Sequence, residues 1–159
     1  MNAKPLRCVR CGTRSVRPRQ GPGRTRPYRV LAALAVPDDC KIPTCSRCGA
    51  QYFDHETIAA LRPVFERVYR AELQRIAALM LGRIPRRLIP RRRLELLLGL
   101  SQGYLSRIAA GDGLPSAQLV LLLGLIAEGG SSTIEALKTF WVGAGVAGSR
   151  DNDKTQATV

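Results

Sequence analysis

The chain has 159 residues, enough for one ordinary domain or two small ones, and an apolar content of 45% that is sufficient for a folded core. Its 25 basic and 12 acidic residues give a formal net charge of +13, which favours a polyanionic partner. Apolar runs such as residues 119–127 are short and contain glycine, so we expect no membrane partner. No secretory signal precedes the five cysteines, which favours the cytoplasm, where thiols stay reduced.

The first 53 residues contain two Cys-X-X-Cys-Gly motifs, which are typical of a metal site. Cys8 and Cys11 form the first, Cys45 and Cys48 form the second, and 33 residues (12–44) lie between them. A two-residue gap lets both sulfurs of a motif reach one ion, and the glycine permits the turn around it. The spacing predicts a zinc ribbon with a structural Zn²⁺, because four thiolates leave no open coordination position; four thiolates also accept iron.

Two other residues near these motifs have alternative interpretations. Cys40 could replace one of the four ligands, or it could be a buried apolar thiol. His55 follows the second motif closely enough to be a ligand, but we expect it in the first turn of the next helix with no chemical role. A redox role for either motif lacks the βαβ context that it would need.

Between the motifs, residues 14–29 are rich in Arg, Pro and Gly and contain no acidic residue. This composition predicts a mobile basic loop or ribbon tip, which either contacts nucleic acid or is simply solvated. Residues 28–36 follow and favour a strand, although their alanines also permit a helix.

A helical connector is predicted over residues 54–82, with Asp54 as its N-cap. Its apolar positions recur at helical spacing and define an expected inner face of Ile58, Leu61, Phe65, Val68, Ile76 and Leu79. Pro63 should kink this helix or divide it in two. Residues 71–84 could supply the first helix of the following domain.

Residues 89–116 predict two short helices joined by a tight turn. Pro90 opens the first, Leu94, Leu97 and Leu98 share one face of it, and Gly99 ends it. Ser101 is the expected N-cap of the second helix, whose Leu105 and Ile108 point inward. Arginines cluster before and at the start of the first helix, where phosphate contacts are expected: Arg83, Arg86, Arg87, Arg91, Arg92 and Arg93.

A third helix should begin at Pro115 and Ser116 and bury Leu119, Leu122, Leu123 and Ile126. Gly129 and Gly130 should stop it, and Ser132 or Thr133 could cap another helix through about residue 142. Leu137, Phe140 and Trp141 give that helix an apolar side, which completes the core or forms a dimer contact. Residues 143–159 are predicted to be a disordered tail.

Residues 99–111 resemble the repressor-like helix-turn-helix family of phage repressors and their bacterial relatives, in which the second helix lies in the major groove. The resemblance implies that Gln102 reads a base, since glutamine can pair with adenine, and that Ser106 and Arg107 match a common Ser-Arg pair. Glu95 departs from the small residue usual there, so it must be exposed or paired. The expected DNA-binding set is Gln102, Gly103, Tyr104, Ser106, Arg107, Arg91, Arg92 and Arg93.

The order of a Cys-X-X-Cys zinc module, a helical connector and a helix-turn-helix domain resembles the MqsA-type antitoxins over most of residues 8–127. In that family the zinc domain binds a ribonuclease toxin, and the C-terminal domain dimerises, binds a palindromic promoter and represses its own operon. One feature opposes the toxin partner: residues 1–37 contain arginines and a lysine but no acid, and ribonuclease toxins tend to be basic.

The sequence thus predicts a mainly α protein with a small N-terminal β zinc ribbon and a C-terminal repressor-like helix-turn-helix domain. The expected divisions are 1–53 for the zinc module, 54–82 for the connector, 83–142 for the helix-turn-helix domain and 143–159 for the tail. The leading hypothesis is a cytoplasmic, homodimeric regulator that binds double-stranded DNA. The alternatives are an antitoxin with a protein toxin partner and an RNA- or ribosome-associated zinc-ribbon protein. An enzyme is not expected, since no histidine or carboxylate cluster accompanies a nucleophile.

Overall fold

A computed structural model describes residues 6–152, with side chains as far as residue 144. The chain divides into two compact units between Glu72 and Leu73, inside a long helix, α1 (His55–Arg83). We call them the N-terminal unit and the helical unit. The first contains a small sheet region and the second is mostly helical, which confirms the coarse fold expected from the sequence.

The N-terminal unit contains two antiparallel β arrangements. Its strands are β1 (Leu6–Arg7), β2 (Arg14–Arg19), β3 (Thr25–Tyr28), β4 (Leu31–Ala35) and β5 (Ile42–Cys45). One sheet has the order β1-β2-β5, and β3 pairs with β4 in a separate hairpin. Val16 of β2 lies opposite Cys45 of β5, and both are buried. Together with Cys8 they form a small buried core beside the sheet.

The prediction of a mobile loop over residues 14–29 is wrong, because this segment contains β2 and β3. Strand pairing uses the backbone, so arginine side chains that project into water do not oppose it. Pro18 lies opposite Pro43 and beyond the end of the β1 pairing, where a residue without an N–H is tolerated. The strand predicted over residues 28–36 is shorter: Arg29 has a φ of 51°, and β4 begins after that turn.

Helix α1 begins as predicted, with Asp54 as its cap. The Thr57 N–H donates to Asp54 Oδ1 at 2.8 Å, and hydrogen bonds from Thr57 lower the pKa of the Asp54 carboxyl. Pro63 does not divide the helix, which continues to Arg83.

The predicted inner face of α1 is wrong at both ends. Ile58 and Leu79 are 46% and 45% exposed. The buried stripe instead repeats every four residues: Leu61, Phe65, Tyr69, Leu73, Ala77 and Leu81. Such a stripe winds slowly around a helix of 3.6 residues per turn, so the buried side of α1 changes gradually along its length.

In the helical unit, α2 (Arg91–Leu97), α3 (Tyr104–Ala110) and α4 (Ala117–Asn152) follow α1. Their core includes Leu94 of α2, Leu105 and Ile108 of α3, and buried residues of α1 and α4. On α4 those residues are Leu119, Leu123, Ile126 and Ile134, whereas Leu122 is 37% exposed.

The start of α3 differs from the prediction, because Ser101 is not its N-cap. The N-cap is Gly103, at a φ of 79°, which a side chain would disfavour. The buried carboxylate of Glu95, only 3% exposed, supplies the capping acceptors instead. Its Oε2 accepts the Gly103 N–H at 3.0 Å, and its Oε1 accepts the Leu105 N–H at 2.9 Å. Glu95 is therefore paired, and it links α2 to α3.

Helix α4 begins as expected, with Ser116 Oγ accepting the Leu119 N–H at 3.2 Å. Gly130 leaves the helical conformation (φ 56°, ψ −130°), which agrees with the stop predicted at Gly129 and Gly130. A second helical segment of α4 follows this break and runs to Asn152, so the disorder predicted from residue 143 is wrong for residues 143–152. The remainder of that predicted tail, residues 153–159, lies outside the described residues.

Within α4, the segment Ala117–Ala144 is long and apolar enough to cross a membrane by length and composition alone. Its mean hydropathy is 1.4, and 22% of the apolar window is buried. This segment is longer than the apolar run expected from the sequence, residues 119–127, which ends before Glu128.

We expect Glu95→Ala to destabilise the helical unit by about 2–4 kcal/mol, since it leaves the Leu105 N–H buried without an acceptor. Trp141, the single tryptophan, donates from Nε1 to the Leu97 carbonyl at 3.0 Å, so its fluorescence reports unfolding of this unit in urea. Glu135→Ala is the control, because Glu135 forms an exposed ion pair with Lys138 and should change stability by less than about 1 kcal/mol. Equal effects of the two variants would contradict the capping role.

Candidate metal centre and candidate nucleic-acid interface

The two Cys-X-X-Cys motifs form matching turns at the ends of strands. Cys8 follows β1 directly, and Cys45 is the last residue of β5. In each turn a glycine N–H donates back to the first cysteine: Gly12 to the Cys8 carbonyl at 2.8 Å and Gly49 to the Cys45 carbonyl at 3.0 Å. Both glycines have positive φ, 74° and 71°, as the spacing requires.

These turns bring the four predicted sulfur ligands together. The Sγ atoms of Cys8, Cys11, Cys45 and Cys48 all lie within 4.8 Å of one another. Two of the separations, 3.5 Å for Cys8–Cys48 and 3.6 Å for Cys11–Cys45, approach the roughly 3.8 Å between sulfurs that share a tetrahedral ion at 2.3 Å. Cys8 and Cys45 are almost fully buried. The cluster could therefore hold one metal ion.

Hydroxyl groups around the cluster lie against three of the sulfurs, and the one on Cys11 is Thr13 Oγ1, 3.0 Å from its Sγ. Tyr52 donates from its OH to Cys8 Sγ at 2.9 Å and accepts the Val9 N–H, also at 2.9 Å. Ser15 Oγ lies 3.0 Å from Cys45 Sγ. Ligands of a metal are usually held by such neighbouring hydrogen bonds. Sequence reasoning missed these three residues, although a tyrosine after the second motif and two hydroxyl residues after the first were visible signals.

The thiols differ in acidity because their surroundings differ. The Tyr52 hydrogen bond lowers the pKa of Cys8, and the Ser15 hydrogen bond lowers the pKa of Cys45 to about 5. A hydrogen bond from Ala50 lowers the pKa of Cys48, but burial and the neighbouring sulfurs outweigh it and raise that pKa to about 11. Without a cation the Cys48 thiol therefore stays protonated at neutral pH, whereas a bound cation would favour its thiolate.

Neither alternative ligand belongs to the cluster. Cys40 is buried away from it, where burial raises the pKa of its thiol, so the interpretation as an apolar thiol is the one that fits. His55 is the first residue of α1 and is likewise outside the cluster.

The arginines expected to contact phosphates open α2. Arg92 and Arg93 are exposed, while Arg91 is half-buried and donates from Nη1 to the Leu105 carbonyl at 3.3 Å. Arg91 therefore links α2 to α3, whereas the side chains of Arg92 and Arg93 are exposed to solvent.

The remaining candidates lie in or around α3. Gln102 is exposed in the turn before the helix, and Gly103 is the N-cap. Tyr104 is half-buried and donates from its OH to the Leu114 carbonyl at 3.1 Å. Ser106 and Arg107 are exposed on the helix itself.

Part of this set lines one concave surface. A cavity of about 590 Å³ is bounded by Arg92, Arg93 and Gln102, together with apolar residues and Glu95. Tyr104, Ser106 and Arg107 do not line it. The structure thus places the candidates on neighbouring elements of the helical unit, in two groups.

We expect cobalt(II), a spectroscopic substitute for zinc, to give thiolate charge-transfer absorption that saturates at one equivalent per chain. Cys45→Ser should abolish that absorption because it removes a buried ligand of the cluster. The matched control is Cys40→Ser, which removes another buried thiol and should leave the stoichiometry at one. Loss of the signal in both variants, or in neither, would contradict the four-sulfur site.

Comparison with protein-family models, with curated proteins and with solved structures finds no match to this chain. The resemblance to MqsA-type antitoxins therefore rests on the residues quoted above.

Proposed function

We propose that this protein is a sequence-specific DNA-binding transcriptional regulator with a structural zinc site. The observation that carries the proposal is the exposed polar surface of α2 and α3, with Arg92, Arg93 and Gln102 around one concavity and Ser106 and Arg107 beside it. In this proposal α2, the turn and α3 form a helix-turn-helix motif. The arginines of α2 contact phosphates, and α3 enters the major groove.

Zinc is the metal that fits the chemistry of the cluster best. Four thiolates in a closed tetrahedral set suit Zn²⁺ and leave no position for a substrate, so the role is structural. The buried core around the cluster is small and consists of Cys8, Val16 and Cys45. Such a core provides little apolar burial, so we infer that zinc binding supplies much of the folding free energy of the sheet.

A homodimer is the expected assembly, and the apolar surface of α4 supports it. Leu121, Leu125, Phe140, Trp141 and Val142 are all more than half exposed, in addition to the core face of the same helix. A second copy would remove this surface from water. A membrane is the less favourable cover, because Gly130 breaks the helix and four residues of the apolar segment are buried in the core: Leu119, Leu123, Ile126 and Ile134.

One observation favours a second function, RNA binding by the N-terminal unit. Strand β2, the middle strand of the three-stranded sheet, exposes the side chains of Arg14, Arg17 and Arg19 and contains no acidic residue. The antitoxin function stays an expectation of the resemblance alone.

The double variant Arg17→Gln with Arg19→Gln distinguishes RNA binding by β2 from DNA binding by α2 and α3. If β2 binds RNA, the affinity of the variant for RNA falls. If α2 and α3 bind DNA, its affinity for duplex DNA stays the same.

We expect Arg92→Ala to weaken binding to duplexes of any sequence and to make the salt dependence shallower by roughly two units of log–log slope per dimer, because each protomer loses one phosphate contact. The measurement is fluorescence anisotropy of a labelled duplex over a series of salt concentrations. Lys138→Ala removes the same charge from α4, where Lys138 pairs with Glu135, and should keep the slope of the parent protein. Identical slopes for the two variants would place the phosphate contacts elsewhere.

We expect Leu125→Lys, which puts a charge at a position 53% exposed, to shift the protein from dimer to monomer in sedimentation velocity runs. Leu79→Lys on α1 is the matched control, since Leu79 is similarly exposed at 45% and lies outside α4. A dimer that survives the α4 substitution would show that another surface forms it.

A further inference from the structure

The N-terminal unit contains a cavity that neither the metal site nor the proposed DNA interface uses. It has a volume of about 300 Å³ and lies between the β3 hairpin and the first turns of α1. This volume is at the lower end of the range for small-molecule sites. Its walls are aromatic and aliphatic, with two arginines: Arg26, Tyr28, Phe53, Ile58, Leu61, Arg62 and Phe65.

Arg26 is the unusual residue of this cavity. Its guanidinium carbon lies 4.1 Å from the ring centroid of Phe53 and 5.2 Å from that of Phe65, so the group is held against two aromatic rings. Its Nε atom is buried and has no hydrogen-bond partner among the described side chains and backbone. Buried donors are nearly always paired, so this one marks a position where an acceptor is missing.

Three other arginines of this unit, Arg24, Arg29 and Arg70, do have hydrogen-bond acceptors. Arg29 and Arg70 both bind the Glu66 carboxylate, at 2.8 Å and 3.1 Å. Arg24 donates to several backbone carbonyls, including those of Gly21 and Cys40. Arg26 has no such acceptor, and none of the residues that line its cavity is acidic.

These features define the chemistry of an occupant. A guanidinium offers parallel N–H groups that match a carboxylate, and low-dielectric aromatic walls strengthen that pairing. The same walls disfavour inorganic phosphate, which they could not hydrate, but they suit an apolar or planar body attached to the carboxylate. Ile58, which is 46% exposed, lies on the rim and leaves a route for entry.

We propose that this cavity binds a small organic acid, with its carboxylate on Arg26 and its apolar body against Phe53, Phe65 and Leu61. The site belongs to the N-terminal unit alone. Its existence does not depend on DNA binding, so each proposal can fail without the other.

The test uses the full-length, metal-loaded protein and benzoate, with benzamide as a neutral molecule of the same shape and inorganic phosphate as an anion without an apolar body. Binding is followed by ¹⁵N NMR of the arginine Nε–H signals. We expect benzoate to shift the Arg26 signal saturably and at least about tenfold more tightly than benzamide, because a hydrogen-bonded charge pair is lost with the amide. Equal affinity for the two, tighter binding of phosphate, or no saturable shift with any probe would overturn the proposal.

Two variants locate the site. Arg26→Gln should weaken benzoate binding at least about tenfold, whereas Arg17→Gln on the exposed part of β2 should not change it. If Arg26→Gln does not fold, Ile58→Glu replaces it, with a carboxylate at the rim that competes for the same cation. Its control is Leu79→Glu, a change at an equally exposed position of the same helix. Benzoate binding that survives Ile58→Glu would overturn the assignment.

Discussion

The buried carboxylate of Glu95 is the interaction on which the helical unit depends most. It accepts the first free N–H groups of α3 from a position inside α2, so one side chain fixes both the start of α3 and its distance from α2. A buried charge is tolerated only with such partners, and a neutral residue there would leave donors unpaired. Arg91 adds a second link between the same helices. The exposed residues of α2 and α3 therefore lie on two helices that are fixed relative to each other. Recognition of a fixed surface, such as a DNA groove, requires such a scaffold.

The N-terminal unit reaches stability by a different physical route. Its sheet has a very small apolar core, and its strands end at four sulfurs that repel one another once ionised. A bound cation would convert that repulsion into bonds that hold β1, β2 and β5 together. The aromatic cluster of Tyr28, Phe65 and Tyr69 is separate from the sulfurs, so this unit has two centres with different chemistry.

Local patterns in the sequence predicted well what depends on local chemistry. The Cys-X-X-Cys spacing identified all four clustered sulfurs, and Asp54, Ser116 and Gly130 marked helix boundaries correctly. The failures came where partners distant in sequence decide. Glu95 replaced Ser101 as the cap of α3, and backbone pairing with β5 ordered an arginine-rich segment that composition favours as a loop. The Arg26 cavity and the Tyr52 contact to Cys8 also join residues far apart in the chain, and no spacing rule contains them.

The most direct test of the regulator account is selection of bound fragments from a random pool of duplex DNA, with the zinc-loaded protein at near-physiological salt and RNA as competitor. The account predicts enrichment of an inverted repeat, since a dimer presents two copies of α3, and relaxed preference at one position of each half-site for Gln102→Ala. Recovery without a motif, an unchanged motif for that variant, or preferential binding of the competing RNA would contradict it.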